Sequence, residues 1–251
     1  MTFPQLAGKH ALDALVPLPP AEKFPDLPAP ESVILCYPRW LFRDTLAAEQ
    51  TTRYPWQYRG DVHILPGSEG RVAVAGGMGV GAPAAAMLVE ELGAHGVRNF
   101  VILGLAGGLQ PELRAGAEVL CDKALRDEGV SQHYLAPGQY VDATPELTSR
   151  LEAEFRDAGI VCAKGPSWTT DAPYRETRKE ARKYREEGIQ TVEMEAAAVF
   201  AVARVRGYSA AAAFVVSDTL ADEGWTGYFR AEEIKVSLRR LLPVIRRALV
   251  G

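Results

Sequence analysis

Two short strings in the C-terminal half carry carboxylates at spacings that could do chemistry. The first is Val192-Glu193-Met194-Glu195-Ala196-Ala197-Ala198, where two acids flank one methionine at a strand-to-helix junction. In an extended segment Glu193 and Glu195 point to the same side. Burying both is costly unless hydroxyls or cations meet them. A vicinal diol, such as the 2′- and 3′-hydroxyls of ribose, suits a carboxylate acceptor. The second string is Phe214-Val215-Val216-Ser217-Asp218, an apolar strand ending abruptly in an acid. The end of a strand is a common place for a reactive group in α/β folds. A helix cap or turn is the alternative role for Asp218.

Two glycine strings could hold a ligand through the backbone. Gly76-Gly77-Met78-Gly79-Val80-Gly81-Ala82 follows a strand pattern and opens a helix pattern. Glycine there permits positive φ, lets amide N–H groups approach a ligand, and leaves a helix N-terminus facing an anion. Gly77-x-Gly79-x-x-Ala82 loosely meets the dinucleotide pattern. The next strand, however, ends in glycines and not in the acid that would hold an adenosine ribose. No GxxxxGK[ST] string is present, which argues against a nucleotide-hydrolysing loop. The second glycine string, Gly104–Gly108, is expected as a loop after a strand at Asn99–Leu103. For each string, a tight strand-to-helix turn is the alternative.

These groups need a frame of buried strands and covering helices. Hydrophobic periodicity predicts strands at Ser32–Cys36, Arg71–Ala75, Asn99–Leu103, Glu118–Cys121 and on around Ala124, Ile160–Ala163 and Ala210–Val216, with a brief strand or turn at Thr191–Glu195. Helices are predicted at Phe42–Thr51, Ala84–Leu92, Pro145–Gly159 capped by Thr144, Tyr174–Glu187, Ala196–Arg206 ending at Gly207, and Ala231–Leu249. Buried strands alternating with helices predict an α/β fold with a mostly parallel or mixed sheet covered on both faces. Residues 1–31 are proline-rich (Pro4, Pro17, Pro19, Pro20, Pro25, Pro28, Pro30) and read as an extended arm packed on a neighbouring subunit. Residues 32–251 read as one domain, with no repeat or linker dividing them.

Composition excludes several classes. The 251 residues carry 28 basic and 32 acidic side chains, a net charge of −4, so no global basic field suits nucleic acid. The alternating signs of residues 175–187 (RETRKEARKYREE) read as a solvated helix face. Cys36, Cys121 and Cys162 are widely separated, with no spacing suited to zinc, and no metal site is expected. Cys36 and Cys121 lie in strand-like runs and read as buried thiols. No secretory signal and no membrane-length apolar stretch is visible, so a cytoplasmic protein without a membrane partner is expected.

Taken together, VEMEAAA, VVSD about twenty residues later, Gly77-Met78-Gly79 and Ala106-Gly107-Gly108 resemble the nucleoside phosphorylase superfamily. That family includes uridine phosphorylase, hexameric purine nucleoside phosphorylase and methylthioadenosine nucleosidase. The resemblance runs from about Ser32 to the C-terminus, in matching order. It implies a three-layer α/β/α domain around a mixed, partly barrel-like sheet. It also implies that Met194 and Glu195 contact ribose, that Glu193 supports their loop, and that Asp218 protonates or hydrogen-bonds N7 of a departing purine. Protonating the base lowers the barrier, because its departure leaves an oxocarbenium-like sugar.

Other positions follow from the resemblance. Arg230 stands near the place of a basic helper in the purine enzymes. Ala106, Gly107 and Ser217 line the substrate site, and Thr169 to Tyr174 match the base-pocket segment. Many members carry a stacking aromatic where Pro173 stands; Tyr174 either replaces it or packs in the core. The segment Arg126 to His133 resembles a pocket lining of uridine phosphorylase, although that enzyme's uracil-reading glutamine and arginine are not evident, Thr177 and Lys179 falling nearest. The base, purine or pyrimidine, is left open. His10 matches a histidine donated from a neighbour's arm to the 5′-hydroxyl, with a solvated arm residue as the alternative.

The departures concern phosphate. Phosphorylases of this family carry an early Gly-Asp-Pro-x-Arg segment; here the chain reads Cys36-Tyr37-Pro38-Arg39-Trp40. A second arginine and a hydroxyl residue are replaced by Ile102 and Leu105. Apolar groups do not hold a phosphate dianion. Arg39, Arg43, or a neighbouring copy's Arg53 or Arg59 are the candidates to replace them, with the amides of Gly77, Gly79 and their loop. The glutamate that orients water in the nucleosidases is missing as well. The expected activity is phosphorolysis of a nucleoside, with inorganic phosphate as co-substrate and no cofactor. The alternatives are a phosphate-independent nucleosidase and a binding homologue without turnover. The family implies a homo-oligomer, a dimer or hexamer, for which Trp40, Tyr54 and Trp56 are either exposed aromatics or core.

Overall fold

Ser32–Cys36 (β1) is five buried residues in a row, so both of its faces must be covered. Val33 and Leu35 enter one apolar cluster while Ile34 and Cys36 enter another, as the two-residue period of a strand requires. The computed structural model describes residues 4, 6–20, 29–221 and 224–250. After a short 3-10 turn at Lys9–Ala11, the order continues from β1 through α1 (Arg39–Ala48), β2 (Thr52–Arg53), β3 (Asp61–Ile64), β4 (Val72–Gly76) and α2 (Ala82–Ala94). Next come β5 (Asn99–Gly108), β6 (Glu118–Asp127), α3 (Ser131–Tyr134), β7 (Tyr140–Asp142), α4 (Pro145–Asp157) and β8 (Ala163–Thr170). A 3-10 turn at Pro173–Arg175 leads to α5 (Arg178–Glu186), β9 (Thr191–Glu193), α6 (Ala196–Arg206), β10 (Ser209–Ala221), β11 (Gly224–Gly227) and α7 (Glu232–Val250).

One mixed sheet organises the domain, and part of it closes on itself. β5 pairs parallel with β10, β10 antiparallel with β6, β6 and β8 parallel, β8 and β9 parallel, and β9 antiparallel with β5 again. These five strands form a ring. β1 pairs with the first half of β5, on the same edge whose second half meets β9, and carries β4, β3 and β2 as an open wing. Helices α2 and α6 cover one face, with Phe100, Phe200 and Phe214 in their cluster; α4 and α7 cover the other. Each buried aromatic contributes roughly 1.5–3 kcal/mol over leaving it exposed. This is the α/β architecture with a mixed, partly barrel-like sheet that the sequence led us to expect.

Helices α2 and α6 pack side by side. Residues Ala196 to Ala203 of α6 are all buried, and the four alanines among its first six residues keep the helix thin enough to fit beneath the sheet. At the far ends, Arg206 grips Glu90 with Nε at 2.7 Å and Nη2 at 2.9 Å. The near ends, Gly81 before α2 and Glu195 before α6, are thereby held together.

Several elements differ from expectation. Gly104–Gly108 is the last half of β5 and not a loop: none of its glycines has positive φ, and their missing side chains admit β9 and β10 on either side. Ile160–Ala163 is not a strand; β8 starts where that segment was expected to end. Tyr174–Glu187 is split into a 3-10 turn and α5, because Thr177 and Glu180 form a capping box that starts the helix afresh at Arg178. Thr144 stands at the N-terminus of α4 but does not cap it; its hydroxyl accepts from the Ala210 N–H at 2.9 Å. β10 runs on past Asp218 and turns back into β11. Tyr54 and Trp56 are core residues, and Trp40 is half-buried.

Of the expected arm, Pro25 and Pro28 lie outside the described residues. The turn at Lys9–Ala11 rests on α3 of its own chain, where Lys9 Nζ donates to His133 Nδ1 at 2.9 Å. No described helix is long and apolar enough to cross a membrane.

Candidate functional site

The site assembles around Gly107. Register places Gly107 opposite Val192 on β9 and opposite Asp218 on β10, so one residue of β5 separates the two acidic strings. A Cβ at Gly107 would lie 2.7 Å from Leu220 Cδ1, 3.0 Å from an Asp218 oxygen and 3.0 Å from Val192 Cγ1. Only glycine permits that approach. Ala106, the residue before it, pairs with Val216.

On the β9 side the two glutamates have separate tasks. β9 ends at Glu193 and the chain bends, so the pair does not share the face that an extended segment would give it. Glu193 accepts from the Thr169 hydroxyl, from Glu195 N–H at 2.7 Å and from Ala196 N–H at 2.8 Å. Thr169 Oγ1 in turn accepts from Ala197 N–H at 3.0 Å. Glu193 therefore satisfies the first amides of α6 and supports the loop, as a side chain at a helix N-terminus should. Glu195 Oε1 accepts from the Gly81 N–H at 2.6 Å, where φ is +94°, and the Met194 amide also acts on the carboxyl. Met194, between them, is the half-exposed member of the string, and its Cε lies about as far as 4.0 Å from a Cβ built on Gly81.

Burial pushes both glutamate carboxyls up, and the charge of Glu193 adds to the effect on Glu195. The Tyr37 hydroxyl is buried nearby without a hydrogen-bond partner among the described residues and is raised well above the ordinary phenol range, first by burial and then by Glu195 and Glu193. Tyr37 is thus a neutral donor facing two acids.

On the β10 side a β-bulge between Val216 and Asp218 re-aims the acid. Ser217 Oγ–H donates to Asp218 Oδ1 at 2.7 Å, and Trp225 Nε1–H of β11 donates to Oδ2 at 2.8 Å. Trp225 was not foreseen. The glycines on either side of Trp225-Thr226 mark a hairpin strand, but nothing in the string says which way the indole points. A fourth acid, Glu176, belongs to the segment 175–187 that was expected to be a solvated helix face. It follows the turn after β8, is half-buried, and is pushed up to about 7 by burial and then by the charges of Asp218 and Glu180.

Not every expected residue joins this group. Arg230 is exposed, and no hydrogen bond or ion pair joins it to Asp218 among the described residues. Tyr174 is 100% exposed and lies neither in the core nor against the site. His10 is exposed on the N-terminal turn. Arg126 is spent on its own loop, donating to Ser131 Oγ and to the carbonyls of Ser131, Leu135, Ala136 and Gly138.

The candidates for anion binding occupy two places. Gly77 and Gly79, with φ of +72° and +90°, aim the loop before α2. Arg59 stands beside that loop, because Gly60 abuts Gly76 and Met78, and its charge acts on Glu91 of α2. Arg39 and Arg43 line a cleft with Tyr37, Leu105 and Phe229. Ile102 is wholly buried under α2 and α6, away from this cleft. Among the described residues no group of acids, histidines and cysteines is arranged to hold a metal.

The family model described as the phosphorylase superfamily matches residues 46–249. A guanosine phosphorylase from Halorubrum lacusprofundi is 35% identical over 147 residues, 57% of this chain and 59% of that protein. A purine nucleoside phosphorylase of the DeoD type from Alkaliphilus metalliredigens is 28% identical over 172 residues, 68% of this chain and 74% of that protein. Among solved structures, uridine phosphorylase from Vibrio fischeri superposes with a TM-score of 0.75 at 19% identity, covering 89% of this chain and 93% of that one, a likeness of fold.

Proposed function

The chain belongs to the phosphorylase superfamily, and from that premise we propose that it cleaves the N-glycosidic bond of a purine nucleoside by phosphorolysis. The observation that carries this reading is the placement of Glu195 and Asp218 on opposite sides of Gly107. A nucleoside laid across Gly107 offers its ribose hydroxyls to Glu195, with Met194 against the sugar, and its base to Asp218. Glu195 accepts from the diol beside the Gly81 amide that already holds its Oε1. Asp218, held by Ser217 and Trp225, hydrogen-bonds or protonates N7 as the C1′–N9 bond breaks. A phosphate oxygen forms the new bond to C1′, giving ribose 1-phosphate and the free base.

Inorganic phosphate is the co-substrate, and the reaction uses no cofactor. Phosphate donors come from the amides of the Gly77–Gly81 loop at the N-terminus of α2 or from Arg39 and Arg43 in the cleft that Leu105 also lines. Guanosine and purine nucleoside phosphorylases among the relatives support the choice of a purine. The same reading carries self-association, as a dimer or hexamer, in the cytoplasm: His10 is exposed and its side chain makes no hydrogen bond among the described residues.

The test is base release from purine and pyrimidine nucleosides, with and without phosphate, by the parent and by Asp218→Ala. Purine cleavage only with phosphate, lowered roughly 10²–10⁴-fold by the substitution, is expected. Cleavage without phosphate would make the protein a nucleosidase and overturn this reading.

A further inference from the structure

Tyr37 stands at the wall of a cleft with its hydroxyl inside the protein. The residue is half-buried and lines the cleft with Arg39, Arg43 and Leu105. Its hydroxyl is out of reach of solvent and has no hydrogen-bond partner among the described residues. Buried donors are as a rule paired, because leaving one unmade is costly. The family segment that Cys36-Tyr37-Pro38 resembles has aspartate at this place, so the phenol is a feature of this chain.

The backbone fixes where the ring goes. β1 ends at Cys36, and the Tyr37 N–H donates to the Leu103 carbonyl at 3.0 Å, which seats the residue beside β5. The side chain packs against the apolar cluster that contains Met78, Ala82, Ala106 and Ala196. These come from the glycine loop, the start of α2, β5 and the start of α6, the ends that the bond between Gly81 and Glu195 ties together. Glu195 and then Glu193 lie close enough for their charges to act on the phenol.

The two acids are not equally provided for. Glu193 accepts from the Thr169 hydroxyl and from two amides. Glu195 is met by the backbone amides of Gly81 and Met194, and no side-chain donor or cation reaches it among the described residues. A buried carboxylate without a cation stays ionised only where donors meet it. It has to be ionised to accept from both hydroxyls of a diol.

We propose that Tyr37 is a positioning residue of this site: its hydroxyl donates to the ionised Glu195 carboxylate and holds it as the acceptor for the ribose diol. This rests on the reading of Glu195 as the ribose acceptor. The bond forms as Glu195 gives up its proton and breaks as it takes one back, while burial and the two acids keep the phenol's own proton in place. Around the pair, Glu193 acts on Glu195 from β9, and Glu128 acts on Glu193 from the segment after β6. The Cys121 thiol of β6 also feels Glu193 and is held neutral by burial. The ends of α2 and α6 present only Ala82, Ala85, Ala196, Ala197 and Ala198 as buried side chains here. Removing the phenol oxygen leaves all of these groups in place.

The test is an infrared titration of the parent and of Tyr37→Phe, following the carboxyl band that Glu195→Gln removes. Loss of the donor is expected to raise the midpoint of that band by about one pH unit, a tenfold weaker hold on the charge. Tm is expected to stay level or rise, because phenylalanine keeps the ring and drops an unpaired buried oxygen. With saturating phosphate, kcat for a purine nucleoside is expected to fall at low pH and recover as pH rises, its acid limb moving up with the band. A merely structural tyrosine would instead lower Tm and cut the rate equally at every pH. An unmoved or lowered midpoint overturns the assignment. If the parent cleaves no nucleoside, the phosphorolytic reading fails by itself, and the infrared midpoint still decides on Tyr37. Should the variant not fold, the parent grown with fluorotyrosine, a more acidic donor, takes its place: the midpoint must then fall, and an unmoved one sinks the proposal.

Discussion

The indole N–H of Trp225 meets Asp218 Oδ2 at 2.8 Å, although Trp225 itself is 62% exposed. The acid is thus oriented from a hairpin strand at the rim and not from the core. Ser217, which holds the other oxygen, is buried. One support is buried and the other exposed.

Trp225→Phe keeps the ring and removes the donor. We expect kcat to fall about tenfold, with a smaller change in KM, since an orienting hydrogen bond is worth roughly 1.5 kcal/mol. Steady-state kinetics with phosphate in excess reads this directly. Equal falls in kcat for Trp225→Phe and Trp225→Ala would fit the orienting role; a normal kcat in the phenylalanine variant would refute it.

Glu195→Gln should gain stability while losing activity. Burial raises the Glu195 carboxyl first, and Glu193 adds to it. The folded protein therefore binds that proton more tightly than the unfolded chain does. The stability linked to it is present below the ordinary glutamate range and is lost as pH rises through the raised folded value. The amide has no such loss, so its advantage in Tm should widen from about pH 5 upward, by roughly 2–4 °C for each kcal/mol in a chain of this size. Thermal melts of both proteins across that range check the sign. A gap that narrows with pH would contradict it.

Replacing both Arg39 and Arg43 by alanine should raise KM for phosphate at least tenfold and leave nucleoside KM nearly unchanged. Both guanidinium groups line the cleft with Leu105, where the chain offers no hydroxyl. If phosphate KM does not move, the anion is held by the glycine-loop amides or from a neighbouring copy, and sedimentation velocity across concentrations would show whether a second copy is present.

Much of the frame could be read from the chain because its signals are local. Ser32–Cys36 and Ala196–Arg206 appear where apolar runs and the Gly207 stop put them. The errors lie where tertiary contact overrules a local signal. Gly104–Gly108 looks like a loop by composition, yet it is strand because two neighbours need the room. The Thr177-x-x-Glu180 capping box was present in the string, and a closer reading would have split the helix there. The acids Glu193, Glu195 and Asp218 were legible from their strings. Trp225 and Glu176 were not, because what matters about them is a direction in space set by a bulge, a hairpin and a 3-10 turn.

The closed ring of five strands has a consequence for how such a protein can change. β5 is hydrogen-bonded to β1, β9 and β10, so a residue inserted or deleted within it would shift register against three partners together. The turn after β8 and the hairpin β10–β11 carry no such load. New substrates should therefore be reached by rewriting those two peripheral segments, while the strand beneath them stays fixed across any lineage that keeps the chemistry.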